Sequence, residues 1–557
     1  MQSIRVGVFV LRIFGIRQRR VKKFCIYCIK KRLTVYDRMG MSDPAGCTRS
    51  GQSKGFIGLT CRNTMSGPGE NPVVCLSVKG LNMRKTKIIC TIGPASASEE
   101  ILSRMVKAGM NVARLNFSHG THEEHLEKMK LIKKVRNKLH RPIAIMLDTK
   151  GPEYRIGVFK DHKVILKEGQ KFIFTTEDLI GDETIVSVSY KGFADELKPG
   201  DKILVNNGLV VCIVEKVEGT RVFTKVEAGG VLSDRKSMNF PGKLMKNDFL
   251  SEQDKDDLLF GIKNDVDYIA ASFVSTREDA QEMRDFLNAN GGQDIDIIAK
   301  IENRAGVNNI REISEVVDGI MVARGDLGVE IPYMEVPAVQ KEIAQECRLL
   351  GRRVIIATEM LESMINNIRP TRAEISDVAN AVYDGASAIM LSGESAAGKY
   401  PVEAVQTMAQ VAEFTEHHIN YKKRFKNTEF VQKNILDAIS HSTCSMAIDV
   451  DAKCIVVSSK SGMTARMVSR FRCPVQIIGM TTSEKVYRKL SLSWGVEPIL
   501  CEEFESIDVL FYHAIRQAVH ILNLQMGDNI VLTGGPVGGG KGGTNMIKVE
   551  TIHRNYQ

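Results

Sequence analysis

From residue 85 onward one unit recurs along the chain: a short apolar strand, a turn, then a helix. The strand segments read KIICTIG (87–93), NVARLNFS (111–118), IAIMLDT (143–149), YIAASFV (268–274), IIAKIE (297–302), GIMVARGD (319–326), VIIATEM (354–360) and AIMLSGE (388–394), eight in all. Amphipathic segments such as SEEILSRMVKAG (98–109) and RAEISDVANAVYDG (372–385) lie between most of them. Near-continuous apolar strands alternating with helices require a parallel sheet covered on both faces. Eight such units predict a closed (β/α)8 TIM barrel, with an open doubly wound sheet as the alternative the pattern permits.

The third unit is interrupted. Between Glu153 and about Pro241 the helical pattern gives way to short alternating runs with turn signals: VILKEGQKFIF, TIVSVSY, KILVNNGLVVCIVEKVEG and RVFTKV. They predict a small all-β domain over residues 153–241, a β-barrel lid inserted at the C-terminal end of the third strand and so over the barrel mouth. The catalytic barrel is then expected over 83–152 and 242–423. From about residue 424 a helix through NILDAISHSTCSMAIDV leads to CIVVSS, VQIIGMT, VEPIL, NIVLTGG and MIKVETI, which predict a second, open α/β domain over 424–557. The KKRFK run at 422–426 reads as a solvated linker.

Charge excludes some functions. The formal net charge of the 557 residues is +10, but residues 1–82 hold fifteen Lys and Arg against three Asp and Glu, so the remainder is close to neutral. With one Trp and 6% aromatic residues, the chain lacks the basic face and stacking rings of a nucleic-acid binder. No run of 18 apolar residues occurs, so no membrane helix is expected. Residues 1–82 have no acid before Asp37 and no periodicity over 42–80; they read as a transit-like extension or a misassigned start, with the working protein expected to begin near Met83. Cys25 and Cys28 form a lone C-x-x-C without a second pair, a poor basis for zinc. The scattered remaining cysteines suit a reducing compartment, which makes the expected location cytoplasmic, organellar only if residues 1–82 are a genuine transit peptide.

In a barrel, chemistry collects where the strands end. Lys300 and Glu302 are two apart in IIAKIENRAG and therefore share a face, although buried Lys and Glu are rare unless paired or bound to metal. Glu302 and Asp326, from neighbouring strands, can form a hard divalent-cation site with oxygen ligands; a buried salt-bridge network closing the barrel explains the same spacing equally well. Arg114 and Arg155 offer anion-binding forks. Asn116, Ser118, Asp148 and Thr149 cluster oxygens with one negative charge, either a monovalent-cation site or a hydrogen-bonded polar plug.

Together, KTKIICTIGPAS, NVARLNFSHG, LDTKGPEYRIG, IIAKIENRAGV, MVARGDLGVE, ATEMLESM, PTRAEISDVANAV and IMLSGESAAGKYP resemble the signature set of the pyruvate kinase family, from Met83 to about residue 552. The resemblance implies transfer of the phosphoryl group of phosphoenolpyruvate to ADP, giving pyruvate and ATP. It implies Mg2+ or Mn2+ on Glu302 and Asp326, and Lys300 neutralising the phosphoryl group in transfer. Arg114 would grip the substrate phosphate, and Gly325, Asp326 and Thr358 its carboxylate end, with Thr358 and water near the proton delivered to the enolate. Asn116, Ser118, Asp148 and the Thr149 carbonyl would hold K+, and Glu153 goes in this family with K+ dependence, a lysine there with its absence. Arg155 and Lys236 would contact the nucleotide, and the insert would act as a lid excluding water. A homotetramer is the family expectation.

The chain departs from the family pattern at Glu359, where glutamine is usual, and at Asn206 and Asn207, where aspartates are common in the lid. GGPVGGGKGG (534–543) falls short of a P-loop because Gly542 stands where Ser or Thr is needed. By the resemblance that loop lies against SSKSGMTAR (458–466), implying a sugar-phosphate or nucleotide effector held by Ser459, Lys460, Ser461, Gly462 and Thr464, unless the stretch is a plain structural turn. HGTHEEH (119–125) lacks the H-E-x-x-H spacing of a zinc site. A barrel lyase acting on a pyruvate enolate and a non-catalytic metabolite sensor are the rival readings.

Overall fold

The computed structural model describes residues 84–243, 245–246, 248–535 and 543–556. Expectations for residues 1–82 and Met83, and for most of the GGPVGGGKGG loop, lie outside the described residues.

Eight parallel strands close into a barrel: β1 (Lys87–Thr91), β2 (Val112–Asn116), β3 (Ala144–Asp148), β4 (Tyr268–Ala271), β5 (Asp296–Ile301), β6 (Gly319–Ala323), β7 (Arg353–Ala357) and β8 (Ala388–Leu391). The ring order is β1-β8-β7-β6-β5-β4-β3-β2, so the expected closed barrel stands and the open sheet does not. Every residue of β1, β3, β4, β5, β6, β7 and β8 is buried, as a sheet covered on both faces demands. Ile89, Val112, Met146, Tyr268, Ile298, Met321 and Ile355 fill the interior. The opposite faces pack on helices such as Glu99–Ala108, which is capped by the Ser98 hydroxyl and ended by Gly109, and which buries Leu102, Met105 and Val106.

Two strand ends differ from expectation. GIMVARGD stops as strand at Ala323, and Arg324–Glu330 forms a helix. YIAASFV stops at Ala271, and Phe273 takes a left-handed φ of 57°. The first difference arises because Arg-Gly-Asp after an apolar run fits the last rungs of a strand and the first turn of a helix equally well.

The insert begins with a two-residue strand, Tyr154–Arg155, and its last strand is Ser237–Asn239. These entry and exit strands pair antiparallel, Tyr154 with Met238 and Arg155 with Ser237. Seven strands form one sheet and two more, Lys163–Leu166 and Gly230–Ser233, a second. The edges of the larger sheet meet through an isolated bridge between Ile156 and Val188, so the insert approaches a barrel over its own core of Phe172, Phe174, Phe193 and Val222.

The C-terminal sheet comprises β9 (Cys454–Ser458), β10 (Gln476–Thr481), β11 (Val496–Leu500), β12 (Asn529–Gly534) and β13 (Met546–Thr551) in the order β11-β10-β9-β12-β13, with only β13 antiparallel. The KKRFK run is not a plain linker: Tyr421–Lys426 is helical, with Phe425 buried in the C-terminal core. This region floors the barrel. Leu492 enters the barrel interior, Tyr268 Oη donates to the Lys489 carbonyl, and Arg353 pairs with Asp296 at 2.7 Å while Lys489 reaches the same carboxylate at 2.7 Å.

Candidate active site

At the C-terminal mouth, β2, β3 and β5 aim three charged side chains at one point. Lys300 Nζ lies 3.1 Å from Asp148 Oδ1, 3.0 Å from Glu302 Oε1 and 2.7 Å from Ser272 Oγ. Arg114 donates from Nε to Asp148 Oδ2 at 2.7 Å and from Nη1 to Thr91 Oγ1 at 2.9 Å. All four charged groups are buried, with Glu302 fully so. Burial works against the charge on Lys300, but the Asp148 and Glu302 carboxylates outweigh it and hold the ammonium above its usual value. Burial also opposes ionisation of Asp148, and Arg114 and Lys300 overcome it. Glu302 differs: burial pushes its carboxyl up to about 7, the Asp326 charge adds to this, and Lys300 only partly offsets it. Its Oε2 accepts from the Phe273 N–H at 2.7 Å, an amide that the left-handed turn presents. Its Oε1, although near Lys300 Nζ, makes no well-directed hydrogen bond among the described residues. Two carboxylates at one cavity, Glu302 and Asp326, fit a hard cation.

Of the two arrangements that the spacing of Lys300 and Glu302 allows, the ion pair is formed, at 3.0 Å. A cavity of about 290 Å³ joins Arg114, Lys300, Glu302 and Asp326 on the barrel to Asn207, Ser237 and Asn239 on the insert. Asn116 and Ser118 line it as well. Thr149 is buried and is not among the cavity-lining residues; its carbonyl accepts from Ser272 Oγ at 2.7 Å.

Gly325 and Thr358 meet directly: the Gly325 N–H donates to Thr358 Oγ1 at 2.8 Å. Thr358 and Glu359 both have positive φ, 66° and 52°, a turn that β-branched Thr rarely adopts. Arg324 holds that turn. Its guanidinium donates to the Thr358 carbonyl at 2.6 Å and the Glu359 carbonyl at 3.0 Å, and pairs with Asp377 at 2.8 Å. Glu359 itself is exposed.

Arg155 and Lys236 are not among the cavity-lining residues. Arg155 pairs with Glu153 at 2.5 Å, and Lys236 precedes Ser237, which does line the cavity. Ser459, Lys460, Ser461 and Gly462 join β9 to the helix Met463–Arg470, whose first turn holds Thr464: Lys460 pairs with Glu503, and Thr464 Oγ1 shares a hydrogen bond with Thr544 Oγ1 at 2.6 Å. The HGTHEEH histidines serve packing: His125 stacks on Phe117 at 3.9 Å and His122 pairs with Asp257 at 2.6 Å. Thr91, Ser272, the Phe273 amide and Arg324's bracing role are the site features that sequence reading missed; the apolar neighbours of each gave no sign of them.

The insert is fastened to the helix that begins with Arg324. Glu330 Oε1 accepts from Asn239 Nδ2 at 3.0 Å and the carboxylate also takes the Phe240 N–H, while burial, the largest influence, raises its pKa. Replacing Glu330 with alanine is expected to speed amide exchange across Tyr154–Asn239 about tenfold, the worth of a hydrogen bond to a charged group; unchanged exchange would contradict a fastening role.

A parallel barrel with a charged cluster at its mouth, an inserted β lid above and an α/β domain beneath defines a class of lidded barrel enzymes. Residues 83–405 match the family model described as pyruvate kinase, barrel domain, and residues 437–550 the one described as pyruvate kinase, alpha/beta domain. The chain is 49% identical over 474 residues to the pyruvate kinase of Clostridium acetobutylicum, covering 84% of this chain and 100% of that protein. It is 46% identical to the pyruvate kinase of Staphylococcus haemolyticus, covering 84% of this chain and 81% of that one. The crystal structure of a pyruvate kinase from Cryptosporidium parvum superposes with a TM-score of 0.80 at 36% identity, covering 84% of this chain and 96% of the other. The chain belongs to the pyruvate kinase family and is an enzyme of that family.

Proposed function

We propose that this enzyme transfers the phosphoryl group of phosphoenolpyruvate to ADP, producing pyruvate and ATP. The observation that carries the reading is Lys300, a fully formed ammonium held by Asp148, Glu302 and Ser272 in a cavity roofed by the insert. Phosphoryl transfer needs positioning and fixed positive charge more than covalent chemistry. Arg114, braced by Asp148 and Thr91, grips the phosphate, and Lys300 faces the charge that spreads over the travelling group. The Gly325 N–H exchanges its Thr358 partner for the substrate carboxylate, leaving the Thr358 hydroxyl free to order the water at the enolate carbon. Glu302 and Asp326 would hold Mg2+ or Mn2+, which when bound supplies further positive charge to the phosphate oxygens. Asn116, Ser118, Asp148 and the Thr149 carbonyl would hold K+. Arg155 and Lys236 approach the nucleotide from residues 153–241, which act as a lid against water on the barrel of 83–152 and 242–423.

A phosphorylated effector is read at Ser459, Lys460, Ser461, Gly462 and Thr464 in the domain of 424–557, supported by the hydroxyls gathered at a helix start. A cytoplasmic homotetramer completes this reading, supported by the family assignment and the absence, among the described residues, of a helix long and apolar enough to cross a membrane.

The test is ATP formation from phosphoenolpyruvate and ADP, with each cation withheld in turn. Turnover is expected to vanish without a divalent ion and to fall at least tenfold without K+, and Glu153→Lys is expected to remove most of the K+ requirement. No turnover with both ions present would sink the reading, and pyruvate release without ADP would favour the lyase.

A further inference from the structure

Where the C-terminal region floors the barrel, arginines outnumber the carboxylates available to them. Asp296 is shared by Arg353 at 2.7 Å, Lys489 at 2.7 Å and Arg466 at 3.8 Å. Asp318 is shared by Arg284 at 2.6 Å and Arg466 at 3.1 Å, and Asp437 pairs with Arg470 at 3.3 Å. Arg472 has no carboxylate partner among the described residues. It donates instead to the Ser469 and Gly385 carbonyls at 2.8 and 3.0 Å and to Ser387 Oγ at 2.9 Å, while only 3% exposed. Burial, and then the nearby Arg348 charge, lowers its pKa to about 9. A buried guanidinium without a counter-charge is costly, and such groups are normally paired.

Arg353, Arg466, Arg470 and Arg472 line one small cavity of about 10 Å³, together with Arg352, Ser387, Ser469 and Ser493. Arg466 Nε, Arg470 Nε and Nη2, and Arg472 Nε are buried N–H groups with no acceptor among the described residues. Arg466, Arg470 and Arg472 are each more than nine-tenths buried. Every charged side chain lining the space is a donor. The space is small, which favours a small anion over a phosphate or a carboxylate ligand. A single water has two lone pairs and no charge; it would leave donors unmet and the charge excess unchanged.

We propose that this cavity is a binding site for a small monovalent anion of halide size, held by the free N–H groups of Arg466, Arg470 and Arg472 beneath the barrel. The anion supplies the missing counter-charge at the seam between barrel and C-terminal sheet. Its occupancy therefore stabilises the docking of the two. The site is separate from the mouth, where the cations of the reaction are read.

Anomalous diffraction from crystals of the full chain grown in bromide tests the location, and thermal unfolding in chloride against gluconate at equal ionic strength tests the energetics. One ordered bromide in this cavity is expected, with a saturable rise in midpoint of about 2 °C in chloride. Arg472→Met is expected to abolish the chloride-dependent part of the shift; if that variant does not fold, the wild-type bromide map and titration decide. An empty or water-filled cavity in the bromide map overturns the proposal. So does a midpoint equal in both salts, and a bromide peak without any saturable shift would mark an adventitious ion only.

Discussion

Replacing Lys300 with methionine is expected to lower kcat by about 10²–10³-fold or more, the loss that follows removal of one preorganised charge from a transition state. Methionine matches the length of the stem and removes the charge. Three contacts disappear together, to Asp148, Glu302 and Ser272. Arg114 still braces Asp148, and the Phe273 amide still holds Glu302, so the fold is expected to survive. Glu302 will be harder to ionise in the variant, because Lys300 is the group that opposes its burial. The measurement is saturation kinetics beside calorimetric binding of phosphoenolpyruvate. A kcat loss with binding changed less than tenfold supports a charge acting on the transferring group. Unfolding of the variant, or equal losses in binding and turnover, would show that Lys300 chiefly holds the barrel mouth together.

Arg324→Met should give the largest combined effect on stability and activity, even though this residue touches no proposed ligand. Arg324 is 8% exposed and distributes its guanidinium over two carbonyls of a left-handed turn, the Asp377 carboxylate and Gln340. Breaking a buried pair and orphaning those acceptors costs about 3–5 kcal/mol. Among the described residues no other guanidinium holds the turn carrying Thr358, so Thr358 Oγ1 is expected to leave the Gly325 amide and turnover to fall with stability. Arg324→Lys is expected to recover little, because a single ammonium cannot reproduce the fork. Chemical denaturation and steady-state kinetics on the same preparations check both halves. A methionine variant of native stability would contradict the bracing role.

How much was legible in the sequence follows from what each residue's environment encodes. The barrel strands were readable because burial on both faces leaves long apolar runs, and Lys300, Glu302, Arg114 and Asp148 stood out as charges inside them. Ser272 and Phe273 did not stand out. In YIAASFV a single small serine interrupts an apolar run, and nothing about a phenylalanine signals that its backbone will turn left-handed and offer its N–H to Glu302. Arg324 was visible as a charge, but its partners lie 34 and 53 residues onward, at Thr358 and Asp377, and only the ring order brings them close. The arginine excess beneath the barrel was half visible: Arg466, Arg470 and Arg472 stand in one stretch without an Asp or Glu, but nothing in that stretch says that all three are buried.

The pairing of Tyr154–Arg155 with Ser237–Met238 bears on how the ring closes in the first place. β3 and β4 are hydrogen-bonded neighbours, yet the whole insert and a helix separate them along the chain. A flexible connection of that length would make their meeting entropically unfavourable, although each doubling of a loop adds only about 0.6 kcal/mol. Once the insert has folded, its two ends are held side by side, and the barrel experiences it as little more than a hairpin turn. Barrel closure and lid folding are thereby topologically insulated. Sequence change within the lid can retune access to the mouth without lengthening the search by which the eight strands find their ring.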